Sequence, residues 1–138
     1  MSKYNNKKVE LDGHVFDSKA EADYYKGLKV RQAAGEIINF EIQPSFVLQP
    51  AFKKGEKAFQ KITYKADFMV YLPNGEVEVI DIKGMVTETF GVKRKLFEYK
   101  YQHLQLILLK HVQKYGGFIT LDEYNKLKRE EKKQKQAK

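Results

Sequence analysis

The residues best suited to chemistry lie in one stretch, Lys65 to Gly84, which reads K-A-D-F-M-V-Y-L-P-N-G-E-V-E-V-I-D-I-K-G. Its alternation predicts two strands. Ile62, Tyr64, Ala66, Phe68 and Val70 alternate with Thr63, Lys65, Asp67 and Met69. Successive side chains of a strand point to opposite faces, so Asp67 shares a face with Lys65 and Met69. In the second run Val77, Val79, Asp81 and Lys83 share one face, and Ile80 and Ile82 take the other. Pro73-Asn74-Gly75 suits a three-residue loop, with proline opening a type I turn and glycine in the left-handed position of a bulge. That loop pairs Leu72 with Glu76, sets Asp67 directly across from Asp81, and sets Lys65 across from Lys83. A two-residue Asn-Gly turn would put Asp81 opposite Phe68 and send the carboxylates to opposite faces.

Two facing aspartates among apolar neighbours need a partner. Like charges across a sheet repel, and a buried carboxylate is costly unless compensated. A divalent cation answers both requirements, and Mg²⁺ takes hard oxygen ligands of this kind, commonly one or two carboxylates with water and phosphate. Lys83 would then sit beside a metal-bound water. From spacing alone, a surface hairpin with scattered charges accounts for the same residues.

A-D-F, a turn, then I-D-I-K-G resembles the PD-(D/E)xK signature of the restriction-endonuclease-like nucleases, with Ala66 standing at the motif's proline. The chain is also similar to the junction-resolving endonucleases of tailed phages. These share an early F-x-S-x-x-E, here Phe16 to Glu21, and a D-F…L-P-N-G…(D/E)-x-K-G hairpin. It looks as well like an uncharacterised phage-encoded family of basic proteins on this core. The likeness runs from about Val9 to Leu109. It implies an αβββαβ fold, a mixed sheet flanked by helices, and Mg²⁺-dependent hydrolysis of DNA, with Mn²⁺ able to substitute. It implies catalytic roles for Glu21, Asp67, Asp81 and Lys83, with the metal held by Asp67, Asp81, the Ile82 carbonyl and Glu21. The substrate would be branched DNA such as a four-way junction, cut by a homodimer. A non-catalytic DNA-binding protein on the same fold, or a nuclease that nicks or cuts flaps, are the competing readings.

The elements that must position these residues can be read in turn. Lys8 to Phe16 alternates around Asp12-Gly13, a small hairpin. Ser18-Lys19-Ala20-Glu21 is a capping box opening a helix to about Ala34, stopped by Gly35. Glu21 therefore has a structural role available as a cap, although it shares a helix face with Tyr25, Leu28 and Gln32 that should turn toward the sheet. A strand over 37–42 is expected with Ile38, Phe40 and Ile42 inward, bent or ended at Gln43-Pro44 and continued by Phe46-Val47-Leu48. Pro50 to Lys57 reads as a polar loop. Thr87 or Thr89 caps a helix to about Tyr101, with Val92, Leu96 and Tyr99 as its buried stripe. Lys93, Arg94, Lys95 and Lys100 are left to reach outward; with Lys65 they are the candidate DNA contacts, Lys93 and Lys95 by resemblance to a phosphate-contacting helix. Leu104 to Leu109 is apolar almost throughout, as a central strand covered on both faces would be. Gly116-Gly117 breaks the chain, and Thr120 to Glu123 opens a last helix.

Length and composition set the bounds. At 138 residues the chain suits one domain, with flexible basic ends expected at 1–8 and 129–138. The 26 Lys and Arg against 18 Asp and Glu give a net charge of +8, which favours a polyanionic partner. No cysteine is present, which excludes disulfides and thiolate zinc sites. His14, His103 and His111 show no metal-binding spacing. The polar start lacks the apolar core of a signal peptide and no run reaches membrane-spanning length, so a cytoplasmic protein is expected.

Overall fold

The chain enters its fold through a hairpin, β1 (Val9–Leu11) and β2 (His14–Phe16), paired antiparallel across Asp12 and Gly13. Both turn residues have positive φ, 55° and 80°, the left-handed pair that a tight turn between twisted strands demands. The structure, a computed structural model, describes residues 7–136. Helix α1 (Lys19–Ala33) begins at Ser18, whose Oγ accepts the Glu21 N–H at 3.2 Å. It ends as expected at Gly35: the Glu36 N–H donates to Arg31 and the Gly35 N–H to Gln32, at 2.9 and 3.1 Å.

Strands β3 (Asn39–Ile42), β4 (Ser45–Gln49), β5 (Phe52–Lys54), β6 (Lys57–Phe59), β7 (Ile62–Lys65), β8 (Phe68–Tyr71) and β9 (Val77–Ile82) follow. Helix α2 (Glu88–Lys100) then leads to β10 (Gln105–Val112), β11 (Gly117–Thr120) and α3 (Leu121–Gln136). One five-stranded sheet has the order β11-β10-β9-β8-β3. Strands β3, β8 and β9 run antiparallel in sequence, α2 crosses over so that β10 lies parallel to β9, and β11 closes the edge antiparallel. The chain is thus a mixed α/β domain; α1, β3, β8, β9, α2 and β10 come in that order, with the four strands β4 to β7 inserted between β3 and β8.

Each face of the sheet has its own apolar layer. Under α1 and the first hairpin lie Phe16, Leu28, Ile37, Phe68, Val70 and Ile80. On the other face α2 covers Phe46, Leu48, Tyr64, Ala66, Val79 and Leu108 with Phe90 and Phe97. Val79 and Ile80 are adjacent in β9 and serve opposite layers, as the two-residue period requires.

The register of the central hairpin agrees with the three-residue loop. Phe68 pairs with Ile80, Met69 with Val79 and Tyr71 with Val77, and the Leu72 N–H donates to the Glu76 carbonyl at 2.9 Å. Gly75 takes the left-handed position at φ 91°.

Several expectations are corrected. The alternation does not run unbroken through Asp67. Tyr64 and Ala66 belong to the α2 layer, whereas Phe68 and Val70 belong to the α1 layer. The cause is a bend shared by two strands. Gln43 adopts φ 53°, its N–H donates to the Asp67 carbonyl at 2.8 Å, and the Ala66 N–H donates to Pro44 at 3.1 Å. Strands β4 and β7 thereby leave the main sheet as a ribbon of their own. Lys65 consequently pairs with Ser45, not Lys83. Ile38 is 61% exposed and Ile37 takes the inward place, because these residues still belong to the turn out of α1. The stripe Val92, Leu96 and Tyr99 points to solvent, with Tyr99 79% exposed. The buried face carries Phe90 and Phe97, whose rings have aromatic partners: Phe97 meets Phe46 edge-on at 5.0 Å and Tyr64 at 5.4 Å. The polar loop after Pro50 contains the hairpin β5–β6, and a strand, β11, precedes the last helix. That helix is continuous to Gln136, so of the expected flexible ends 129–136 are helical, while 1–6 and 137–138 lie outside the described residues.

Candidate active site

Asp81 occupies the next-to-last position of β9 and is 3% exposed, the one charged residue in the core among the described residues. The bend at Ala66 brings Asp67 beside it, and the two carboxyls lie within hydrogen-bonding reach of each other. Asp67 is anchored by the Ile82 N–H, which donates to Oδ2 at 2.7 Å. Ile82 thus meets the site through its amide. Asp81 Oδ2 accepts the Tyr64 hydroxyl and lies 3.3 Å from Lys83 Nζ. The Lys83 ammonium also stands 4.1 Å above the centre of the Phe90 ring, a partly buried cation on an aromatic face.

Charge is not balanced here. Burial first, then the neighbouring Asp81 and Glu21, push Asp67 up to about 9. Burial, followed by Asp81, holds the Tyr64 hydroxyl far above its ordinary range, so it remains a donor. Glu21 is half-buried within electrostatic range of Asp81 and Lys83, and burial raises its pKa. Its carboxylate accepts the Asp17 N–H at 3.1 Å, one residue before the cap the sequence indicated. This bond holds Glu21 to the start of α1. Among the described residues no three carboxylates or imidazoles converge into a complete metal cage.

The basic residues separate. Arg94 and Lys83 line a common cavity of about 370 Å³ with Gly84, Phe90 and Lys110. Lys110, which sequence reasoning passed over, donates to the Gly84 carbonyl at 2.9 Å. It reaches the site only because β10 pairs parallel with β9. Lys93 is half-buried and Lys95 exposed on α2, while Lys65 is exposed on β7. Lys100 is engaged at the middle of β4, donating to the Val47 carbonyl at 2.8 Å. A larger cavity of about 760 Å³ lies by the Gly75 turn and His103, at the other end of β9 and away from both aspartates.

Tyr64 was missed as a site residue for a physical reason: strict alternation keeps it on the face opposite Asp67, and only the bend carries it onto Asp81.

The donor set suits a hard divalent cation. Two adjoining carboxyls, Asp67 and Asp81, offer hard oxygen ligands of the kind such an ion takes. None of the curated proteins searched matches the chain. The family model described as Protein of unknown function (DUF1064) matches residues 1–117. With that match spanning most of its length, the chain belongs to the DUF1064 family.

Proposed function

We propose that this protein is a Mg²⁺-dependent endodeoxyribonuclease with a restriction-endonuclease-like core, acting as a homodimer on branched DNA such as four-way junctions. The observation that carries the reading is the Asp67–Asp81 pair, with Asp67 Oδ2 held by the Ile82 N–H at 2.7 Å and Lys83 Nζ 3.3 Å from Asp81 Oδ2. Asp67 and Asp81 would hold the metal, with the Ile82 carbonyl and Glu21 as further oxygen donors, Glu21 through water. When bound, Mg²⁺ supplies charge neutralisation at the scissile phosphate and a lowered pKa for water.

The protein's own groups do the rest. Lys83, held between Asp81 and the Phe90 ring, donates to the attacking water or to a non-bridging phosphate oxygen. Tyr64 fixes the Asp81 carboxylate through one oxygen and leaves the other free to ligate. Arg94 and Lys110, on the cavity that Lys83 also lines, suit the phosphates flanking the cut.

The test is direct. Labelled four-way, flap and linear DNA are incubated with the protein in EDTA, Mg²⁺ or Mn²⁺. Metal-dependent cutting, strongest on the junction, is expected. Binding without cutting in any metal would favour the non-catalytic DNA-binding protein, which the basic charge of +8 alone could explain.

A further inference from the structure

We propose that the β5–β6 hairpin is a DNA-gripping arm, a β-ribbon that enters a groove beside the cut site and holds the phosphates on both of its walls. The inference rests on the nucleic-acid partner proposed above and adds where that partner is held.

All six strand residues of the hairpin are exposed. Between Pro50 and Ile62 the chain carries Lys53, Lys54, Lys57 and Lys61 against the single acid Glu56. Pairing sets the faces. Phe52 lies opposite Phe59 and Lys54 opposite Lys57 on one face, and Lys53 lies opposite Ala58 on the other. A ribbon between two phosphate walls needs cations on both faces, and this one has them. The major groove of duplex DNA is wide enough for a two-stranded ribbon.

The hairpin is stiffened for such a role. The Phe52 and Phe59 rings stack at 4.8 Å and 10°, and Lys57 Nζ stands 5.1 Å from the Phe59 ring centre. Gly55, at φ 64°, makes the first turn position and leaves the tip without a side chain there, so backbone can approach a phosphate closely. The arm is also joined to the chemistry. β6 runs through Gln60 and Lys61 into β7, whose Tyr64 bonds Asp81, and β4 leads out to β5 from Val47, where Lys100 and Tyr101 both donate to its carbonyl at 2.8 Å. Displacement of the arm is therefore resisted at its root.

The experiment measures binding of fluorescein-labelled four-way junction DNA by anisotropy, in EDTA, over a range of salt concentrations. The full chain is compared with Lys53→Ala/Lys54→Ala/Lys57→Ala, Glu56→Gln and Phe52→Ser/Phe59→Ser, each checked for folding by circular dichroism. The triple variant should bind about tenfold or more weakly near physiological salt, and its slope of log K against log salt should flatten by about 0.9 for each phosphate left without its lysine. Glu56→Gln should bind more tightly. A triple variant with the wild-type affinity and slope overturns the arm while leaving the nuclease reading intact. A full chain that binds no DNA overturns both. If Phe52→Ser/Phe59→Ser turns a dimer into a monomer and the triple variant binds DNA normally, the hairpin is a contact between two copies and the proposal fails.

Discussion

Tyr64 is the residue that separates this carboxylate pair from two aspartates on a surface hairpin. Its ring is buried among Phe46, Phe90 and Phe97, and its hydroxyl donates to Asp81. Tyr64→Phe keeps the packing and removes the bond. Loss of such an outer hydrogen bond weakens metal affinity by about 10–100-fold, so Mn²⁺ binding followed by electron paramagnetic resonance should weaken by that order. Unaltered Mn²⁺ affinity would show that the hydroxyl serves only the core. Asp67 gives a pH prediction. Burial and the neighbouring acids raise its pKa above the unfolded value of 3.8, so the folded metal-free chain binds this proton more tightly than the unfolded chain does. Its contribution to stability is therefore fully present below about pH 4 and is lost as pH rises toward about 9. Mg²⁺, which would take the proton's place, should raise the melting temperature more at pH 8.5 than at pH 6. An Asp67→Asn variant should lose that difference. Equal shifts at the two pH values in the wild type would contradict a proton-linked cation site.

At the scale of elements, α2 shows where sequence reading succeeds and where packing overrides it. Its start was legible as Thr87 or Thr89, and the structure selects Thr87, whose Oγ1 accepts the Phe90 N–H at 3.1 Å. Its buried face was not. Spacing favoured Val92, Leu96 and Tyr99, whereas the rings of Phe46 and Tyr64, contributed by a bent ribbon, select Phe90 and Phe97. Phe97→Ala should cost about 3–5 kcal/mol in chemical denaturation, and Tyr99→Ala little. A large loss from Tyr99 and none from Phe97 would invert the assigned face. The turn from Leu72 to Glu76 was legible because Pro-Asn-Gly has few low-cost conformations, and it set the register from Tyr71–Val77 to Phe68–Ile80. The bend at Gln43 and Ala66 was hidden because Gln43 is not a residue that advertises a left-handed backbone. Its side chain is tied to the Val15 carbonyl at 3.1 Å, a contact 28 positions away. Hence Asp67, Asp81 and Lys83 stand out as candidates from local sequence, while the contacts of Tyr64 and Lys110 depend on how strands meet in space.

For the whole molecule, the chain carries a net charge of +8, two acids stand together at the end of β9, and β5 and β6 form a basic, exposed ribbon. No described helix is long and apolar enough to cross a membrane. Cutting paired strands needs two sites, so sedimentation should find a dimer at micromolar concentration, alone or on junction DNA. A monomer in both conditions would contradict junction resolution. The central claim is that Asp67 and Asp81 hold the cation that drives hydrolysis. Its most direct test is Asp81→Asn on four-way junction DNA, with cleavage followed in Mg²⁺ and affinity in EDTA. The account predicts that cleavage is lost while metal-free affinity is unchanged or tighter, because a negative charge beside the phosphate has been removed. An Asp81→Asn protein that cuts the junction as fast as the wild type would contradict it.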